Sequence, residues 1–133
     1  MTFVLDASVA LAWLFPDERT AYTEMVRSRL ASGAAIVSAV WPLEVANGLL
    51  VAQRRGRVSH PEVLQLLLQL PITVQSLSQA HAWGQVLAIA RSQNLTAYDA
   101  SYLEIALREG LPLATQDTDL LAAAGRIGVP TLQ

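Results

Sequence analysis

The amino-acid sequence predicts an α/β fold with a short, mostly parallel central sheet flanked by helices. Three observations carry the prediction. Apolar runs of three or four residues alternate with longer segments of helical periodicity from end to end. Those longer segments start and stop at residues suited to helix caps. No linker, internal repeat or low-complexity stretch interrupts the pattern, so residues 1–133 read as one domain.

The elements follow in order. Phe3-Val4-Leu5 is an apolar run ending at Asp6 and reads as a buried strand. Ser8 is placed to cap a helix reaching Leu14, which Pro16 stops. A second helix is expected over 17–31, with Tyr22, Met25, Val26 and Leu30 on one face and Gly33 beyond it. Ala35-Ile36-Val37-Ser38 is a second strand. Pro42 suits the first turn of a helix in which Leu43, Ala46, Leu49 and Leu50 recur at helical spacing. Ser59-His60-Pro61-Glu62 resembles a capping box for a helix running to Leu70. A third strand falls on 71–74, a long helix on 78–93 closed by Asn94, and another helix on 96–109 ended by Gly110. Leu113-Ala114-Thr115 is a fourth strand, 117–124 a short helix, and 129–132 a final edge strand in which Pro130 is tolerated.

Composition narrows the function. At 53% apolar and 15% charged, the chain is too apolar for disorder, yet no apolar run reaches the roughly 18 residues that span a bilayer. The N-terminus has no basic segment ahead of an apolar stretch, and with no cysteine the chain reads as cytoplasmic. Missing cysteine also removes thiolate metal sites and cysteine nucleophiles. All nine basic residues are arginine, so mechanisms that need a lysine base, Schiff base or ammonium are excluded.

The acids are the informative residues. In an open parallel sheet, ligands bind beyond the carboxyl ends of the strands. Asp6 follows the first strand and Asp117 follows the fourth, while Glu44 and Asp99 sit in first helical turns. All four are thus expected on one rim. Singly, each also reads as an ordinary helix-terminal acid favoured by the helix dipole. Jointly, four of eleven acids converge, and clustered carboxylates repel unless a cation is present. Oxygen ligands with only two histidines favour Mg²⁺ or Mn²⁺ over zinc. His60 and His81 lie in helical segments away from these acids and read as surface or packing residues. Receiver domains and haloacid-dehalogenase-like phosphatases also place an Asp after the first strand, but both need the lysine this chain lacks.

Val4-Leu5-Asp6-Ala7-Ser8, Glu44 with Asn47, the stretch Leu95 to Tyr102, and Leu113-Ala114-Thr115-Gln116-Asp117 together resemble the PIN-domain pattern, nearest to VapC-like toxins of bacterial toxin–antitoxin modules. The resemblance spans essentially the whole chain. It implies an Mg²⁺- or Mn²⁺-dependent endoribonuclease that leaves 5′-phosphate and 3′-hydroxyl ends, a cognate antitoxin protein as partner, and a homodimer. Asp6, Glu44, Asp99 and Asp117 take the family's four acidic places as metal ligands and catalytic groups, with Asp6 and Asp99 the principal ligands. Glu44 or Asp117 is then the base that takes a proton from water. Ser8, Asn47 and Thr115 match supporting positions, and Asp119 competes with Asp117.

For the RNA substrate, Arg54, Arg55 and Arg57 form the dense basic cluster, which also reads as a solvated helix C-terminus. Tyr98, Trp13 and Trp41 are candidates to stack on bases, with core packing the competing reading for the tryptophans. Leu64, Leu66, Leu67, Leu68 and Leu70 crowd one helix, which implies burial or cover by another chain. The competing functions are a non-cleaving PIN-like binding module and a metal-dependent nuclease acting on DNA.

Overall fold

A computed structural model describes residues 1–57 and 62–133. His60 and the capping box expected at 59–62 involve positions outside the described residues. The chain forms β1 (Thr2–Leu5), α1 (Ala7–Leu14), α2 (Ala21–Arg29), β2 (Ala34–Val37), α3 (Trp41–Arg54), α4 (Glu62–Gln69) and β3 (Ile72–Val74). Next come α5 (Gln79–His81), a π-helical turn over Ala82–Val86, α6 (Leu87–Gln93), α7 (Ala97–Glu109), β4 (Leu113–Ala114) and α8 (Thr118–Ile127).

The strands form one sheet in the order β3-β2-β1-β4, and every pairing is parallel. Phe3, Val4 and Leu5 of β1 have no solvent exposure, as a central parallel strand covered on both faces requires. Helix α7 packs against β1, β4, α6 and α8, and α1 packs against α2, α3 and α4. Val4 pairs with Ile36 and with Leu113, and Leu5 pairs with Ala114. That register carries Ser38, Asp6 and Thr115 to the same edge of the sheet. The chain runs outward from β1 through β2 to β3, then returns to place β4 on the other side of β1. The switch point, where a crevice opens in folds of this kind, lies between β1 and β4.

Helix ends follow local chemistry. Thr20 caps α2 through a reciprocal box with Thr23. Asn94 (φ 54°) and Gly110 (φ 66°) close α6 and α7 in the left-handed region, where short polar residues and glycine fit best. Several expectations are corrected, among them the cap of α1, which is Asp6 and not Ser8. The helix expected over 17–31 is a 3₁₀ turn at Pro16–Glu18 followed by the shorter α2, because Thr20 is extended and restarts the helix. The final strand at 129–132 reduces to a single bridge between Leu113 and Thr131, next to a proline that cannot donate to a ladder. Helix α8, in contrast, runs past the expected end at 124 to Ile127, where Gly128 caps it. No helix among the described residues is long and apolar enough to cross a membrane.

Candidate active site

Asp6 is the centre of the rim. It leaves β1 in extended geometry, caps α1 by accepting from the Val9 amide (3.4 Å), and is only 4% exposed. Ser8 Oγ donates to its Oδ1 (2.7 Å), and Thr115 Oγ1 donates to its Oδ2. The Trp41 indole donates to the Asp6 backbone carbonyl (3.3 Å). Burial pushes the Asp6 carboxyl up to about 6, against the lowering effect of these hydrogen bonds.

Thr115 joins two acids. While its hydroxyl donates to Asp6, its oxygen accepts from the Asp117 amide (3.0 Å). Asp117 caps α8 by accepting from the Leu120 amide (3.0 Å). The Gln116 amide donates to Ser8 Oγ (3.0 Å), which ties the start of α1 to the segment after β4.

The other two acids come from helix N-termini. Thr96 caps α7 by accepting from the Asp99 amide (3.1 Å), which places Asp99 in the first turn. Burial raises the Asp99 carboxyl above its ordinary value, and the charges of Asp117 and Asp119 raise it further. Glu44 sits in the first turn of α3 and accepts a hydrogen bond from the Tyr102 hydroxyl. Burial and then the charge of Asp99 raise Glu44, although the bond from Tyr102 opposes them. Asp6, Glu44 and Asp99 all hold the Tyr102 hydroxyl well above its usual range, after burial and the Glu44 hydrogen bond.

The structure thus brings Asp6, Glu44, Asp99, Asp117 and Asp119 to one rim. Among the described residues, none of the five forms an ion pair with an arginine or histidine. Nor are any three Asp, Glu or His side chains among those residues drawn close enough to enclose a metal ion. The donor set suits a hard divalent cation: carboxylates with hydroxyl support, in a cluster without counter-charge among the described residues.

The remaining candidates separate clearly. Asn47 is exposed one turn beyond Glu44. Trp13 and Trp41 are core residues, 2% and 8% exposed, with indole donors bonded to the carbonyls of Thr23 and Asp6, so neither offers a face to a base. Tyr98 is 60% exposed beside Asp99. Arg54 and Arg55 are exposed at the end of α3, whereas Arg57 stacks over Phe15 (4.4 Å) and pairs with Asp17 and Glu18. His81 bonds Glu104 (2.7 Å), away from the rim.

Two features escaped the sequence reading. Tyr102 reaches from α7 to Glu44, and Ser101 bonds Ser38 (2.6 Å), which fastens α7 to the end of β2. The visible signal was the spacing of Asp99 and Tyr102, one helical turn apart; nothing in the sequence pointed across 58 residues to Glu44.

Fold and rim together describe an α/β protein with a carboxylate site at the switch point of a parallel sheet. The chain belongs to the PIN domain family, which matches residues 3–126. Ribonuclease VapC3 of Pyrobaculum aerophilum is 32% identical over 124 residues, covering 90% of this chain and 92% of the relative. Exonuclease VapC9 of the same organism is 38% identical over 90 residues, 67% of each chain. Among solved structures, PAE2754 from Pyrobaculum aerophilum matches with a TM-score of 0.65 at 30% identity, over 92% of this chain and 87% of that one. A toxin–antitoxin complex from Klebsiella pneumoniae shares the fold, with a TM-score of 0.67 at 18% identity over 97% and 96% of the two chains.

Proposed function

We propose that this chain is an Mg²⁺- or Mn²⁺-dependent endoribonuclease and the toxin of a type II toxin–antitoxin module. One observation carries the proposal. Five acids share a rim, burial raises three of them, the charge of neighbouring acids adds to it at Glu44 and Asp99, and no cation among the described residues pairs with any of the five. A site that bears this electrostatic cost is relieved by a divalent ion. Similarity to a protein named a ribonuclease supports RNA as the substrate.

Asp6 and Asp99 are the principal ligands in this reading, with Asp117 and Glu44 completing the set and Asp119 at its margin. When bound, the ion supplies Lewis acidity and neutralises charge at a phosphodiester. Ser8 and Thr115 aim the Asp6 oxygens. In this reading Glu44, with Asp117 as the alternative, accepts a proton from the attacking water. The water oxygen bonds to phosphorus as the P–O3′ bond breaks in line, and the departing 3′-oxygen takes a proton from solvent, which leaves a 5′-phosphate and a 3′-hydroxyl. In this reading Arg54 and Arg55, exposed at the end of α3, contact the RNA backbone, and Tyr98 stacks on a base.

An apolar groove of about 570 Å³ between α3, α4 and β3, lined by Leu49, Leu64, Leu67 and Leu68 among others, supports a protein partner. Leu66 and Leu68, 54% and 79% exposed, extend the apolar surface of α4. The cognate antitoxin and a second copy of the chain are the partners in this reading.

The test is cleavage of matched linear RNA, circular RNA and DNA strands with Mg²⁺, with Mn²⁺ and with chelator. The proposal expects metal-dependent cutting of both RNA forms and intact DNA. The relative named an exonuclease favours a second reading, in which linear RNA is shortened and circular RNA survives. No cutting of any RNA with either metal would overturn both.

A further inference from the structure

We propose that Tyr102 is a positioning residue that holds Glu44 Oε1, so that Oε2 is the oxygen turned toward the bound ion or its water. The inference rests on the nuclease reading and deepens it.

Tyr102 is 1% exposed and is among the largest fully buried side chains. A buried hydroxyl requires a hydrogen-bond partner, and Tyr102 finds it in Glu44 Oε1. The phenol has one proton to donate, so it engages one carboxylate oxygen and leaves the other free. The tyrosine is itself well anchored. It lies on α7, which packs on β1 and β4. The neighbouring Ser101 bonds Ser38 at the end of β2 (2.6 Å) and the Tyr98 carbonyl (2.5 Å). Asp99 and Tyr102 are one turn apart and so share a helix face. Helix α7 therefore presents a ligand and, one turn deeper, the group that aims a second ligand from α3. Without that bond Glu44 is a long, half-exposed side chain facing the charge of Asp99, and both repulsion and rotamer freedom turn it away.

The test compares wild type, Y102F, E44Q and the double variant, with Mn²⁺ affinity read by calorimetry and RNA cleavage read as kcat and KM. Loss of an outer-shell partner weakens affinity or activity by about tenfold or more. Y102F is expected to weaken Mn²⁺ binding and lower kcat by about tenfold with KM for RNA little changed. Placed on E44Q, the same substitution is expected to add nothing. Equal losses in both backgrounds, or unchanged Mn²⁺ affinity in Y102F, would overturn the inference while leaving the nuclease intact. Wild type that neither binds Mn²⁺ nor cuts RNA would overturn the nuclease reading and this inference with it. E44D supplies an arm that leaves Tyr102 itself in place. It keeps the charge but withdraws the carboxylate from Tyr102, so it is expected to lose affinity as Y102F does, and full affinity in E44D would count against the role.

Discussion

Replacing Asp6 by Asn tests the electrostatic argument without relying on catalysis. Asn has the same shape, still accepts from Ser8 and Val9, and reverses the sense of the bond with Thr115. What it removes is a buried charge. Asp6 titrates at about 6 in the folded chain against 3.8 ordinarily. Since each tenfold change in an ionisation constant is worth about 1.4 kcal/mol, ionised Asp6 costs the fold about 3 kcal/mol. The sign follows from which state binds the proton more tightly. Asp6 favours folding below about pH 3.8, and this contribution is lost as the pH rises through about 6. Between about pH 4.5 and 7.5 about 2 of the roughly 3 kcal/mol disappear. Chemical denaturation in chelator across that range should therefore show D6N gaining about 2 kcal/mol on wild type. For a chain of this length that is a Tm difference of about 7 °C. Adding Mg²⁺ or Mn²⁺ at neutral pH should close most of the gap, because an ion at about 100 times its Kd returns about 2.7 kcal/mol to wild type alone. Stability curves for D6N and wild type that stay parallel with pH, or equal stabilisation of both by metal, would refute the reasoning.

Further expectations concern the neighbours. T115V removes the donor to Asp6 and the acceptor for the Asp117 amide, and urea unfolding should show a loss of about 1–3 kcal/mol. D117N keeps the helix cap on Leu120 but not the charge, so Mn²⁺ affinity should fall while Tm holds; D119N, which is more exposed, should have the smaller effect on affinity. Glu104 is buried, yet bonds from Arg108 and His81 hold its carboxyl below the ordinary value. Its contribution is therefore present above the unfolded pKa and fades as the pH falls through the folded one, and E104Q should flatten that acid limb of stability. Replacing Arg54 and Arg55 by Ala should weaken RNA binding and reduce the slope of log K against log salt by about 0.7 for each phosphate that is no longer neutralised.

The legible parts of the fold were those with a local cause. The Phe3 to Leu5 run, the Pro42 helix start and the Asn94 and Gly110 closures each depend on residues within a few positions of one another. The rim was legible for the same reason, since strand ends and first helical turns are local features that parallel topology gathers at one edge. Where the reading failed, a competing local signal or a distant partner decided. Thr20 broke a continuous helix because its side chain satisfies the Thr23 amide. Pro130 left the last segment with one bridge. Trp13 and Trp41 were ambiguous because an aromatic residue reads alike whether it stacks on a base or fills a core. Tyr102 to Glu44 and His81 to Glu104 join residues 58 and 23 positions apart, and no periodicity records such pairs.

The hydrogen bond from Thr115 to Asp6 spans 109 positions, and the Gln116 amide reaches Ser8 across 108. The first acid of the rim therefore depends on a segment more than a hundred positions further along the chain. A chain still being synthesised, or one cut short before β4, holds Asp6, Glu44 and even Asp99 but lacks both the hydroxyl that aims Asp6 and the fourth acid. In the nuclease reading, the site is in this way assembled only once β4 and the segment after it have been made.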